Sequence, residues 1–116
     1  MSKTKQTAGP LSPAQLAAVS RLFAALSEPS RLALLQALHD GPLTVSQLVE
    51  ASGMKQANVS KQLALLHDHR LVKREREGTT IHYEIADPLV FSLCELVCGK
   101  MRRDAKEAVA VFHPQI

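Results

Sequence analysis

Residues 44–72, TVSQLVEASGMKQANVSKQLALLHDHRLV, constrain the fold most, because they ask for two short helices meeting at a sharp turn. Thr44 can accept from the backbone N–H of Gln47, and the Gln47 side chain can reach back, so the pair predicts a capping box. Leu48 and Val49 supply the buried face of this first helix, and Ser52-Gly53 breaks it. The second helix is expected over 55–67. Val59, Leu63 and Leu66 recur at i, i+4 and i+7 and form a stripe that needs a core. Lys55, Gln56, Asn58, Ser60, Lys61 and Gln62 are placed mostly off that stripe.

Those residue types suit a nucleic-acid surface. Amides can pair bidentately with adenine edges, and lysine and serine suit guanine edges or phosphate oxygens. A polar, basic helix following a helix and a glycine turn reads as a helix-turn-helix. An ordinary solvated surface helix explains the same stripe equally well, so the decision rests on the rest of the chain.

Downstream, 71–76 carries apolar and charged residues, Glu77-Gly78 is a turn signal, and 80–85, TIHYEI, alternates with period two. This predicts a hairpin with Ile81, Tyr83 and Ile85 on its inner face. Lys73, Arg74, Arg76 and Thr79 are its candidate DNA contacts. A hairpin after a recognition helix is a wing, able to grip phosphates or enter a minor groove.

Upstream, residues 1–11 are polar, contain Gly9-Pro10 and are expected to be a flexible tail, with 12–116 forming one domain. Ser12, Pro13 and Gln15 open the first helix with a capping box, and Leu16, Val19, Leu22, Phe23 and Leu26 line one face. A second helix is expected with Ser27 as its cap and Pro29 in its first turn, ending at residues 39–42, HDGP. Asp87-Pro88 starts a long last helix reaching about Phe112. Its apolar stripe of Val90, Leu93, Val97, Met101, Ala105, Ala108, Val109 and Phe112 exceeds what so small a core can cover. Leu16, Val19 and Phe23, with Val90, Leu93, Val97, Met101 and Val109, are therefore assigned to a homodimer interface.

The 116 residues suffice for one modest core. A net charge of +3 is compatible with nucleic acid, and 3% aromatic residues with no Trp disfavour base-stacking modes, so RNA is not expected. No 18-residue apolar run or signal peptide is seen, so a cytoplasmic location and no membrane partner are expected. No phosphate loop, activated nucleophile or paired catalytic carboxylates appear, so an enzyme is not expected. Cys94 and Cys98, four apart on one helix, make no disulfide framework.

In this order the elements resemble the ArsR family of bacterial winged-helix repressors. The resemblance is carried by LFAALSEPSRLALLQAL at 22–38, GMKQANVSKQLALLHDHRLV at 53–72 and VKREREGTTIHYEIAD at 72–87. It implies an α/β, mainly α, winged helix with N-terminal and long C-terminal dimerisation helices. It further implies a homodimer that binds double-stranded DNA at an inverted repeat in its own promoter region and represses transcription. Two positions depart from the family pattern. Arg70 stands where a glycine is usual before Leu71-Val72, and Gln62 where a histidine is usual in the recognition helix. The first predicts a strained or rearranged helix end and the second an altered DNA contact.

Many members release DNA on binding a metal or metalloid. The arsenic-type site needs Cys-x-Cys, and the corresponding positions hold Thr44 and Ser46, whose hydroxyls cannot replace thiolates. The zinc-type site needs an aspartate, a histidine two residues on and another eleven further; counting from Asp87 gives Leu89 and Lys100. Neither standard site is present. Cys94 and Cys98 fall on one helical face, where four thiols of a dimer can hold a thiophilic metal or metalloid ion or respond to an oxidant or persulfide. The alternatives are inert cysteine packing, hence a repressor with no metal or redox sensing, and a winged helix used only for protein contacts.

Overall fold

The computed structural model describes the backbone of residues 9–112 and the side chains of 9–108. Five helices and a small sheet follow in the order α1 (Pro13–Leu26), α2 (Pro29–Ala37), β1 (Leu43–Thr44), α3 (Val45–Ser52), α4 (Gln56–Asp68), β2 (Val72–Glu77), β3 (Thr80–Ile85) and α5 (Leu89–Phe112). Most of the expected N-terminal tail lies outside the described residues.

Local capping sets the helix starts. Ser12 accepts from the Gln15 amide at 3.1 Å while the Gln15 side chain accepts from the Ser12 amide at 2.8 Å. Thr44 and Gln47 repeat the arrangement at 3.2 and 2.9 Å. Each box satisfies amides that have no partner inside the helix. At the start of α5, Asp87 accepts from the Leu89 amide at 2.9 Å, with Pro88 between them, one residue before the helix. The cap of α2 is corrected. Ser27 closes α1, its hydroxyl donating to the Ala24 carbonyl, and Glu28 precedes Pro29 without a side-chain cap bond.

Between α2 and α3 a short 3-10 turn, Leu38–Asp40, leads through Gly41 into a strand that sequence patterning does not show. β1 is only two residues long. It pairs antiparallel with β3, Leu43 opposite Tyr83 and Thr44 opposite His82, giving a sheet of order β1-β3-β2. This pairing fastens the start of α3 to the wing.

The core lies where α2, α3 and α4 meet the base of the wing. Leu34, Leu35, Leu48, Val59, Leu63, Leu66, Val72 and Tyr83 are buried together, so the predicted α4 stripe and the inner wing residue Tyr83 meet as expected. Ile81 and Ile85 pack against this cluster from its edge. Val90 is corrected as an interface residue. It is 2% exposed and belongs to the same core, so the first turn of α5 is anchored to its own chain.

α4 ends in a Schellman arrangement. The Leu71 amide donates to the Leu66 carbonyl and the Arg70 amide to the His67 carbonyl, both at 2.9 Å. The residue between the helix and Leu71 must then be left-handed. Arg70 has φ of 60°, the one non-glycine residue with positive φ among those described. The expected strain at this departure from the family pattern is therefore located in one peptide. A left-handed L-residue costs about 1–2 kcal/mol, partly offset in glycine by its freer unfolded chain. Arg70→Gly is expected to stabilise the protein by about 1 kcal/mol, raising the melting temperature by roughly 4 °C. An unchanged or lower melting temperature in calorimetry would contradict this account of the turn.

Candidate nucleic-acid interface

The site is built on α4 and the wing. Val59, Leu63 and Leu66 hold one side of α4 in the core, which leaves the opposite side free. Lys55, the N-cap residue, and Gln56, Ser60 and Lys61 are exposed, and Asn58 is half-buried.

Gln62 is corrected as a surface contact. Its side chain is almost wholly enclosed, the one buried polar residue among those described. It accepts from Arg31 Nη1 at 2.8 Å and donates to Asn58 Oδ1 at 3.1 Å. Its position was available from spacing, since it lies three residues after Val59 and four before Leu66, on the buried stripe itself. Arg31 was read only as a polar residue of the second helix, and no local signal marks a partner 31 positions away in sequence.

Strand register divides the wing's charges between its two faces. Arg74 lies opposite Tyr83 and Arg76 opposite Ile81, so both arginines stand on the side of the sheet that packs on α4, extending past the core into solvent. Lys73 lies opposite Glu84, and Glu75 opposite His82, on the other side. There Lys73 pairs with Glu84 at 3.2 Å and His82 approaches Glu77 at 3.8 Å. The expected basic cluster of the wing is thus split. Arg74 and Arg76 have no ion-pair partner among the described residues, whereas Lys73 is partly neutralised on the acidic side. Thr79 is exposed at the tip beside Gly78.

Away from this surface, α1 and α5 expose apolar side chains. Leu16, Phe23, Val97 and Met101 are each more than half exposed, and Val19 somewhat less. Leu96, not assigned by the sequence reading, is the most exposed at 71%. Leu93 is half-buried, and the side chain of Val109 lies outside the described residues. Cys94 packs partly against the core, and Cys98, one turn on, is exposed; neither forms a disulfide among the described residues. Thr44 is engaged in its capping box. Among the described residues no three His, Cys, Asp or Glu side chains gather in a metal-binding group, and no helix is long and apolar enough to cross a membrane.

Comparison with known proteins gives the class that this architecture defines. Residues 28–74 match the family described as "Bacterial regulatory protein, arsR family". The transcriptional regulator NmtR of Mycobacterium tuberculosis is 42% identical over 74% of this chain and 72% of its own length. A probable mercury resistance operon repressor of Streptomyces lividans is 39% identical over 66% of this chain and 62% of its own, so the match spans just under two thirds of that relative. Among solved structures, the antimony-specific repressor AntR superposes with a TM-score of 0.73 at 37% identity, covering 84% of this chain and 89% of that one. A homodimeric winged helix-turn-helix DNA-binding domain from Mycobacterium bovis gives 0.69 at 33% identity, covering 80% and 91%. The chain belongs to the arsR family: it is a DNA-binding transcriptional regulator on a mainly helical winged helix-turn-helix, and not an enzyme.

Proposed function

We propose that the chain acts as a homodimeric repressor that binds an inverted repeat in double-stranded DNA near its own promoter. The observation that carries this reading is the exposed polar side of α4 together with Arg74 and Arg76, exposed on the wing face that also carries Tyr83. α4 enters a major groove, where Gln56, Ser60 and Lys61 reach base edges and phosphates. Arg74 and Arg76 lie against the flanking backbone or minor groove. A winged helix used only for protein contacts has no need of this basic pairing.

Homodimerisation is supported by the apolar side chains left on α1 and α5, too extended a patch for a soluble monomer. Two protomers related by a two-fold axis present two copies of α4, which explains why an inverted repeat suits them.

DNA release is assigned to the thiols of Cys94 and Cys98. They stand i and i+4 on α5, and a two-fold axis running beside that helix would bring four thiols together, enough for a thiophilic ion such as As(III), Cd(II) or Zn(II), or for persulfide chemistry. The mercury and antimony repressors among the relatives lend support to thiol-directed control. The packing of Cys94 against the core favours a second reading, in which it is only a small hydrophobe. Titration of the reduced protein on its upstream duplex with each ion and with a persulfide separates the two. Release of DNA by at least one of them, lost in the Cys94→Ser/Cys98→Ser variant, is expected. No release, or an equal response from the variant, would leave the cysteines as packing.

A further inference from the structure

The polar contacts between α2 and α4 form a chain with a fixed direction. Arg31 Nε donates to the Ala25 carbonyl at 2.6 Å and Nη2 to the Ala24 carbonyl at 3.3 Å, closing the C-terminal end of α1. Glu28 holds the same guanidinium at 2.9 Å. Nη1 donates to Gln62 Oε1, Gln62 Nε2 donates to Asn58 Oδ1, and Asn58 Nδ2 reaches Met54 Sδ at 3.3 Å, a weak acceptor at the turn before α4.

Only the first member of this chain has no choice of orientation. A guanidinium donates and never accepts, so Gln62 must turn its carbonyl to Arg31 and its NH2 to Asn58. Asn58 then turns its carbonyl to Gln62 and its NH2 to Met54 Sδ, which leaves its second N–H without a partner among the described residues. Because Gln62 is 6% exposed, water cannot readily replace either partner, and a flipped amide would leave buried groups unpaired.

We propose that Arg31 is a positioning residue for DNA recognition: acting through Gln62, it fixes the amide of half-buried Asn58 so that α4 presents a hydrogen-bond donor to DNA at that position. The proposal rests on the reading that α4 faces DNA. It narrows the chemistry available to Asn58. With its carbonyl already accepting from Gln62, Asn58 offers DNA chiefly its remaining N–H. It donates to an acceptor edge, guanine O6 or N7 or thymine O4, which carry no competing major-groove amino group as adenine does beside N7. The same guanidinium joins the end of α1, which carries exposed apolar residues, to the recognition helix.

The test is selection of sequences from a randomised double-stranded DNA library with the full chain and three variants, below their melting temperatures. Gln62→Glu keeps a partner for Arg31 but can only accept from Asn58, so the Asn58 amide must reverse and present its carbonyl outward. At one base pair of each half-site, preference is expected to pass from guanine or thymine to the amino-bearing cytosine or adenine, by about tenfold. Arg31→Lys keeps the charge but cannot reach Ala25 and Gln62 together. It is expected to flatten preference at that same base pair while changing affinity for random duplex less than about twofold. A shift confined to that base pair supports the relay. Parental profiles in both variants, or a uniform weakening without change of profile, would overturn it, provided that Asn58→Ala alters the profile. A parental profile in Asn58→Ala would instead refute the DNA-facing placement of Asn58, and the relay with it.

Discussion

Replacing Lys61 and Arg74 together by alanine is expected to weaken DNA binding roughly a thousandfold at about 0.15 M salt. Both side chains are exposed, one on α4 and the other on the helix side of the wing, and neither has an ion-pair partner among the described residues. Each phosphate contact releases close to one counterion, so log K falls by about 0.9 per decade of salt for each. Two substitutions in each of two protomers remove four contacts, and the slope should become shallower by about 3.6. Lys73→Ala should do less, because Lys73 already faces Glu84. Binding isotherms at several salt concentrations check both effects. An unchanged slope would remove these residues from the interface.

Val97→Asp is expected to raise the dimer dissociation constant by at least about a hundredfold, since an unpaired carboxylate in an apolar interface costs several kcal/mol. Val97 is 55% exposed beside Leu96 and Met101, all on the part of α5 beyond its anchor at Val90. The substitution therefore leaves the chain's own core untouched. Affinity for the inverted repeat should fall with it, because a lone protomer holds only one half-site. Sedimentation of the variant at micromolar concentration reads the outcome directly. A dimer as tight as the parent's would place the interface elsewhere.

Much of the fold was legible because its determinants are local. Ser12 with Gln15, Thr44 with Gln47, Gly53 and Asp87 each act on amides or carbonyls within four residues, and each acts as the sequence suggests. The error at Ser27 has the same origin, since Ser27 and Glu28 are adjacent candidates and only the position of α1 decides between them. β1 escaped notice because two residues have no periodicity; its existence depends on Tyr83 and His82, some forty positions away.

The site was less legible than the fold. Polarity alone placed Gln62 on the surface, while helical spacing, had it been given precedence, places it against Leu66. Arg31 is unreadable without the approach of α2 to α4. The wing's charges could be listed from sequence, but their division between two faces follows from the register Arg74–Tyr83, fixed in turn by the tight turn at Gly78. Val90 and Leu96 show the same limit on α5, where periodicity gives an apolar stripe but not the point at which the chain's own core ends.

In the proposed function, α4 and the wing bind duplex DNA sequence-specifically. The most direct measurement is competition, by the full chain, between a duplex from the region upstream of its own gene and a shuffled duplex of the same composition at about 0.15 M salt. A preference of at least about a thousandfold for the upstream duplex is predicted. Equal affinity for the two would contradict it.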